Sequence, residues 1–345
     1  MHISGQVNPN MVVLAREARG LTQQDLAQKI NLHKANVSRL EKGDTPVSQE
    51  TLAAISEATS FPLQFFLQDG SPVPVHLSYR KRQHVPVKLI TPIEAQINIM
   101  RRHVQLLTRA LQKPVPQLPV LEVGVEQTPA QAAKKLRLVL GIRTPVVENI
   151  VRTLEWQGIV VNSFPFGTER VDSRSMLTED KYPVIFLNSS LLGDRLRYSL
   201  AYELAQLVMH TFTEVPAERD ISREANEFAA EFLMPAAHIV KDFERGITLP
   251  LLGELKRKWK VSMISLLYRA DDLGLLTPNQ KRYLIQQFNQ QRIRRREPEE
   301  LDVPKEQPKL MRQMLAEYMS RTGSGIIEMS AMLSLDPGDY VGYYG

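Results

Sequence analysis

The sequence predicts a mainly α-helical protein with a small α+β domain in its middle, and three observations support this fold class. Short capped helices open the chain, helices alternate with short β-rich runs from Thr128 to His210, and the chain beyond Pro235 is predicted to be helical to about Arg296. The 345 residues, 43% of them hydrophobic, suffice for two or three domains with buried cores. A disordered chain and a small disulfide-bonded scaffold are therefore excluded.

Pro- and Gly-rich stretches and changes of charge divide the chain into five segments. We predict a helix-turn-helix unit at 1–70, a basic linker with a long helix over Pro92–Gln112 at 71–125, an α+β domain at 126–240, a helical extension at 241–300, and a C-terminal tail with a small helical segment near Gly325–Leu335 at 301–345. Within the α+β domain we predict strands over Gly158–Asn162 and Pro183–Asn188, and a helix over Asp194–His210.

The formal net charge of +5 conceals two basic belts. Residues 71–113 carry 8 basic and 1 acidic side chains, and residues 256–296 carry 11 and 2. A basic segment is usually a solvated face, but the position of these two belts around the neighbouring domains strengthens the alternative of phosphate contacts. The chain has no cysteine, which excludes disulfides, thiolate metal sites and a cysteine nucleophile. No apolar run approaches the roughly 20 residues of a spanning helix, so we expect a cytoplasmic protein without a membrane partner.

Two short helices joined by a tight turn are predicted near the N-terminus. Thr22 and Asp25 have the spacing of a capping box, which starts a helix with Ala27 facing inward. Asn31, which tolerates the left-handed conformation, ends that helix, and Lys34–Lys42 forms the next one. This is the geometry of a helix-turn-helix. The alternative, a helical hairpin with a polar exterior, leaves unexplained why capping, turn and core spacing agree in one register.

The outward face of the second helix carries groups that can contact DNA in a major groove. Arg and Lys recognise guanine, Asn recognises adenine, and an Ala methyl contacts thymine. We therefore predict base or phosphate contacts from His33, Lys34, Ala35, Asn36, Ser38 and Arg39. Gln23 and Gln24, at the start of the preceding helix, are predicted to bind a phosphate. The basic groups at 80–82 and 101–102 are predicted to hold further phosphates.

The segment Asn10–Gln68 resembles the Cro/repressor-type helix-turn-helix of the XRE family. The runs that carry the resemblance are AREARGLTQQDLA, from Ala15 to Ala27, and VSRLEKG, from Val37 to Gly43. The resemblance implies sequence-specific binding to operator DNA, commonly as a dimer on an inverted repeat.

Two stretches in the middle of the chain, Arg195–His210 and Ser222–Pro235, resemble the ImmA/IrrE metallopeptidase family. The resemblance continues into the helical extension and implies a zincin-like fold. In that family the first helix carries H-E-x-x-H, whose histidines bind zinc and whose glutamate is the general base. The next helix supplies a further acidic ligand.

The family's pattern places Tyr202 and Gln206 at the two histidine positions and Ser222 at the acidic position, while Glu203 retains the general-base position. A catalytic zinc needs about three protein ligands. A phenol, an amide and a hydroxyl are poor replacements for two imidazoles and a carboxylate. Without zinc, Glu203 has no activated water to deprotonate. We therefore expect no metal, no cofactor and no catalytic residue in this pseudo-metallopeptidase domain.

Two interpretations of this degenerate site stay open. Tyr202 and Gln206, with Glu203 beside them, could line a pocket that hydrogen-bonds a small molecule or a peptide. Alternatively, the same side chains belong to an ordinary filled core. Because the family's pattern is lost at the metal positions and kept around them, we infer that the domain still folds and serves a purpose other than zinc chemistry.

The sequence favours a prokaryotic transcriptional regulator that binds a double-stranded DNA operator as a homodimer. Its pseudo-metallopeptidase domain would sense a small-molecule or protein effector, bind a partner or support oligomerisation. Two other hypotheses remain. One is a zinc-dependent ImmA/IrrE-type peptidase that cleaves a repressor, and the other is an antitoxin or immunity-type binding protein of a mobile element.

Overall fold

The computed structural model describes residues 6–72, 85–213, 215–216 and 218–345. The cluster Arg80-Lys81-Arg82, predicted to contact phosphates, lies outside the described residues. The described chain opens with four short helices and a 3-10 turn, then a long helix: α1 (Pro9–Ala18), α2 (Gln23–Lys29), α3 (Lys34–Lys42), α4 (Gln49–Thr59), the turn Leu63–Leu67 and α5 (Val87–Ala110).

Helix α5 begins earlier than the sequence predicts, because Pro92 lies inside it rather than at its start. Proline removes one backbone donor and normally ends a helix. Here the loss is offset by burial of one apolar face of α5, which includes Ile97, Val104 and Leu107. Tertiary packing therefore overrides the local signal that favoured a helix start at Pro92.

The central domain contains a three-stranded mixed sheet between helices. Its elements are α6 (Pro129–Val139), α7 (Ile150–Trp156), β1 (Val160–Phe164), β2 (Ser173–Leu177), β3 (Pro183–Asn188), α8 (Gly193–Ala205), the π-helical turn Gln206–His210 and α9 (Ile221–Leu233). The strand order is β1-β3-β2, with β1 parallel and β2 antiparallel to β3. The predicted strand at 183–188 is confirmed, and the one predicted at 158–162 is displaced by two residues. Strand β2, which has few β-branched or aromatic residues, is missing from the prediction.

Seven further helices follow α9 in the described chain. The sequence does not predict that the last three of them form a packed unit. They are α10 (Ala236–Phe243), α11 (Leu249–Trp259), α12 (Met263–Asp272), α13 (Pro278–Gln290), α14 (Leu310–Thr322), α15 (Ile326–Leu333) and α16 (Pro337–Tyr344). The helical segment predicted near Gly325–Leu335 corresponds to α15, while α14 and α16 on either side of it are not predicted. Met311, Met314, Leu333 and Tyr340 of these three helices are buried.

The sheet separates two hydrophobic cores, because successive side chains of a strand point to opposite faces. Ile185 and Leu187 face the core formed with α8, α9, α11 and α12. Val184 and Phe186 face a second core, which also contains side chains of α1–α5 and α14–α16. The N-terminal unit and the C-terminal helices therefore share one core. Among the described residues, no helix is both long enough and apolar enough to span a membrane.

Candidate functional site

The turn between α2 and α3 is built as the sequence predicts. The Thr22 hydroxyl accepts from the backbone N–H of Asp25 at 3.1 Å, and the Asp25 carboxylate accepts from the backbone N–H of Thr22 at 2.8 Å. The hydrogen bonds that the Asp25 carboxylate accepts from the backbone N–H and the hydroxyl of Thr22 lower the pKa of Asp25. Asn31 has a φ of 53°, in the left-handed region. Capping and turn together orient α3 against α2.

The outer face of α3 is available to a ligand. Val37 and Leu40 are buried toward α2, which leaves the remaining side chains on the other side. Ser38 is half-buried, and the other predicted contact residues of this face are exposed: His33, Lys34, Ala35, Asn36 and Arg39. The structure therefore brings together the α3 residues that the sequence singles out.

The side chains of Gln23 and Gln24 differ in how they are held by neighbouring residues. Gln24 is exposed. The side-chain amide of Gln23 is half-buried and donates to Glu41 at 2.8 Å, and Glu41 also accepts from the Arg16 guanidinium at 2.5 and 3.1 Å. The Gln23 side chain is thus held by an ion pair that joins α1 to α3, whereas Gln24 has no such restraint among the described contacts.

Arg101 and Arg102, from which the sequence predicts phosphate contacts, are directed toward the protein's own residues. Arg101 is 1% exposed, inside the core that α5 makes with its neighbours. Arg102 donates to the Gln68 side chain at 2.9 Å and to the Asp69 carbonyl at 2.7 Å. These guanidinium groups connect the end of the N-terminal unit to α5, because their positions along α5 place them on the side of the helix that faces the protein.

Lys88 is a candidate DNA contact that the residue-by-residue prediction does not name. It is exposed near the start of α5. With Gln24 and Lys34 it lines a cleft of about 420 Å³ between α5 and the start of α2. The signal for it lies in the basic belt at 71–113, of which it is a member.

In the central domain, Tyr202 and Gln206, which the family's pattern places at the two histidine positions, are buried, whereas Ser222 is exposed. Tyr202 is 1% exposed, and its hydroxyl donates to the Ser222 hydroxyl at 3.3 Å. Gln206 is 5% exposed. Of the two open interpretations of this site, burial favours the filled core over a pocket.

Glu203 is fully buried, and its carboxylate accepts hydrogen bonds from residues of strand β2. One oxygen accepts from the Ser173 hydroxyl at 2.7 Å, and the other accepts from the Ser175 backbone N–H at 2.8 Å and from the Ser175 hydroxyl at 2.6 Å. Burial raises the pKa of Glu203, and the serine hydrogen bonds partly oppose that shift. The carboxylate thus attaches α8 to the sheet.

A polar chain runs from Gln206 through His210 to the following helix. His210 contacts the Gln206 amide oxygen at 2.9 Å and the Glu224 carboxylate at 2.8 Å, and Arg219 donates twice to Glu224. Burial lowers the pKa of His210, although Glu224 opposes the shift. The Gln206 amide nitrogen is buried without a hydrogen-bond partner. Within the described residues, no group of three or more His, Asp and Glu side chains is arranged to hold a metal ion.

Comparison with protein families gives two matches. Residues 14–66 match the helix-turn-helix family, and residues 154–271 match the IrrE N-terminal-like domain. No curated protein matches the chain. The chain therefore carries an XRE-type helix-turn-helix fused to an IrrE/ImmA-like domain. The first match supports a DNA-binding regulator.

Proposed function

We propose that this protein is a sequence-specific transcriptional regulator that inserts α3 into the major groove of operator DNA. The exposed polar face of α3, held by the capped turn, is the observation that carries the proposal. Arg39 and Lys34 contact guanines, Asn36 contacts an adenine, and the Ala35 methyl contacts a thymine.

Phosphate contacts position this helix. Gln24 and Lys88 line the cleft between α5 and the start of α2, beside Lys34, and a DNA strand would pass there. We propose that two copies bind an inverted repeat, one α3 for each half-site. A protein with this target acts in the cytoplasm of a prokaryotic cell.

The central domain acts in this proposal without zinc chemistry. The donor set of Tyr202, Gln206 and Ser222 does not fit a zinc ion, which is bound by imidazole, thiolate and carboxylate. The unpartnered nitrogen of Gln206 is a hydrogen-bond donor and has no affinity for a cation. Both oxygens of Glu203 accept hydrogen bonds from β2, so this carboxylate stabilises the fold. The domain is then free to sense an effector or to support the dimer.

Genome-wide mapping of bound sites tests the regulator. We expect an enriched motif with two-fold symmetry near promoters, and the absence of any enriched motif contradicts the proposal. A second assay tests the central domain. The purified chain is incubated with and without zinc, and bound metal and cleavage are measured for the wild type and for Glu203→Gln. Stoichiometric zinc together with proteolysis that Glu203→Gln abolishes would establish a peptidase instead.

A further inference from the structure

A cleft of about 530 Å³ lies between the sheet of the central domain and the C-terminal helices. Its floor is β1, an outer strand of the sheet, and its wall is α14 with the end of α16. The volume is in the range of pockets that hold small molecules. It is separate from the site at Tyr202 and Glu203, since its lining side chains come from other elements.

The charged side chains described in the lining of the cleft are all of one sign. Among the described residues that line it, the charged ones are two cations, Lys309 and Arg312, and none is acidic. Both side chains are exposed. Arg312 donates to the backbone oxygen of Gly345 at 3.0 Å, and a guanidinium has five N–H donors in all. Such a pair of cations beside amides is suited to a carboxylate or a phosphate.

A buried side-chain amide on the floor of the cleft has an N–H donor that is not hydrogen-bonded to another described residue. Asn162 of β1 is 5% exposed, and its side-chain nitrogen has no hydrogen-bond partner in the described part of the chain. A buried donor without a partner costs about 1–3 kcal/mol in typical proteins, so such groups commonly mark a ligand or water position. Asn162 lines the same cleft as Lys309 and Arg312.

We propose that this cleft binds the effector, a small organic anion with a carboxylate or phosphate group. Lys309 and Arg312 hold the charge, Asn162 hydrogen-bonds a polar group, and the rings of Tyr343 and Tyr344 cover the apolar part. This inference rests on the proposed function, because it supplies the regulator with a ligand site and a ligand class.

Helix α16, whose end forms part of the wall of the cleft, contacts the DNA-binding unit. The Tyr344 hydroxyl is 2.7 Å from Nδ1 of the buried His103, which lies in α5. In the same helix as Tyr344, Asp339 forms an ion pair with Arg19, at the end of α1. A ligand that shifts α16 therefore acts on both α5 and α1, and it changes operator affinity by its preference for one arrangement.

The test is a titration of the full-length, DNA-free protein by calorimetry and ligand-observed NMR. The probes are citrate, ribose 5-phosphate and, as an uncharged control, ribose, each to about 10 mM, which detects even the weak binding of an unoptimised ligand. We expect citrate or ribose 5-phosphate to bind and ribose not to bind. Binding of citrate alone identifies a carboxylate site, and binding of ribose 5-phosphate alone identifies a phosphate site.

Two variants of α14 test whether the anions bind in the cleft or are attracted by the charge of the protein surface in general. Arg312→Glu should weaken anion binding about tenfold or more, because it removes a charge-assisted hydrogen bond and adds repulsion. Arg321→Glu makes the same change on an exposed residue of α14 outside the cleft, and it should bind as the wild type does. The inference is overturned if neither anion binds, if ribose binds as well as ribose 5-phosphate, or if Arg312→Glu retains the wild-type affinity.

The two proposals fail independently. Anion binding is measured without DNA, and operator binding is measured by mobility shift on the mapped sites. Loss of operator binding with anion binding intact would contradict the regulator alone. Operator binding without anion binding would contradict the effector cleft alone.

Discussion

The guanidinium of Arg19, directly after the first helix, is ion-paired with the carboxylate of Asp339 in the last helix, 320 residues further along the chain. Arg19 also donates to the Thr59 carbonyl at 2.6 Å and lies over the Phe61 ring at 4.7 Å. One side chain thus joins the C-terminal helices to the DNA-binding unit. This contact makes α16 part of the structure that positions α3.

Asp339→Asn should lower the free energy of unfolding by about 0.5–1 kcal/mol, because pairs that are partly exposed contribute little more than this. The side chains of Arg19 and Asp339 are 27% and 25% exposed. Urea unfolding gives the value, and Glu254→Gln, which breaks the exposed pair with Arg245, is the control that should leave stability unchanged. An equal effect of both variants would show that the Arg19–Asp339 pair has no special role.

Arg39→Ala and Lys34→Ala should each lower operator affinity by about 1–3 kcal/mol, the usual contribution of a specific base contact. The loss should be largest for the operator and small for unrelated DNA. Wild-type affinity should also fall steeply with salt, because phosphate contacts release counterions. Lys241→Ala, which removes an exposed cation from α10 outside both basic belts, is the matched control in the mobility-shift assay. Normal operator binding by both α3 variants would exclude α3 as the recognition helix.

Glu203→Ala should lower the free energy of unfolding by about 1–3 kcal/mol, since it leaves the hydroxyl of the buried Ser173 and the N–H of the half-buried Ser175 without their acceptor. Glu203→Gln keeps the shape and one acceptor oxygen, so its loss should be smaller. Burial raises the pKa of Glu203. Its contribution to stability is therefore largest at low pH and declines as the pH rises from the unfolded pKa of about 4.3 through the folded pKa.

Glu203→Gln should remove this decline, and urea titrations from pH 4 to pH 8 would measure it. The two serine partners provide the comparison, because Ser173→Ala and Ser175→Ala keep the carboxylate but remove a hydroxyl donor. If Glu203→Ala is as stable as the wild type, the carboxylate does not have the structural role proposed for it.

His103 should make stability dependent on pH between about 6.5 and 3. Burial lowers its pKa to about 3, while in the unfolded chain the pKa is about 6.5. Below pH 6.5 the unfolded state binds a proton that the folded state does not. The free energy of unfolding therefore falls by up to about 1.4 kcal/mol for each pH unit as the pH drops, and the full contribution is present above pH 6.5.

His103→Gln should flatten the slope of stability against pH between pH 6.5 and 4. The exposed His238 offers a control, because His238→Gln should leave the slope unchanged. An unaltered slope in His103→Gln would show that His103 is protonated as readily in the folded chain as in the unfolded one.

Gly193→Ala should destabilise the protein by about 1–3 kcal/mol, the usual cost of overpacking. A Cβ at Gly193, in the first turn of α8, would be 2.1 Å from the Val303 carbonyl oxygen and 2.9 Å from that of Pro304. Gly342, inside α16, has open space around it, so Gly342→Ala should be stabilising by about 0.5–1 kcal/mol. Thermal unfolding compares the two, and a neutral Gly193→Ala would show that the segment at 303–304 can move away.

The helix-turn-helix is predictable from its sequence because every signal in it is local. The Thr22–Asp25 cap, the left-handed Asn31 and the burial of Val37 and Leu40 each depend on residues a few positions apart. That Tyr202 and Gln206 stand where the family's pattern has histidines is likewise visible in the residues themselves. What these residues contact, such as the serines of β2 around Glu203, is not visible, because β2 has no strong strand signal of its own.

Local patterns and residue types thus predict the helix-turn-helix and the residues that stand at the family's metal-ligand positions. Long-range packing places the chain's last segment against α5 and the N-terminal unit, turns Arg101 inward and opens the cleft above Asn162. The reason is physical. A cap or a helical face depends on near neighbours in the chain, whereas the burial of an arginine or the position of α16 depends on contacts between residues hundreds of positions apart.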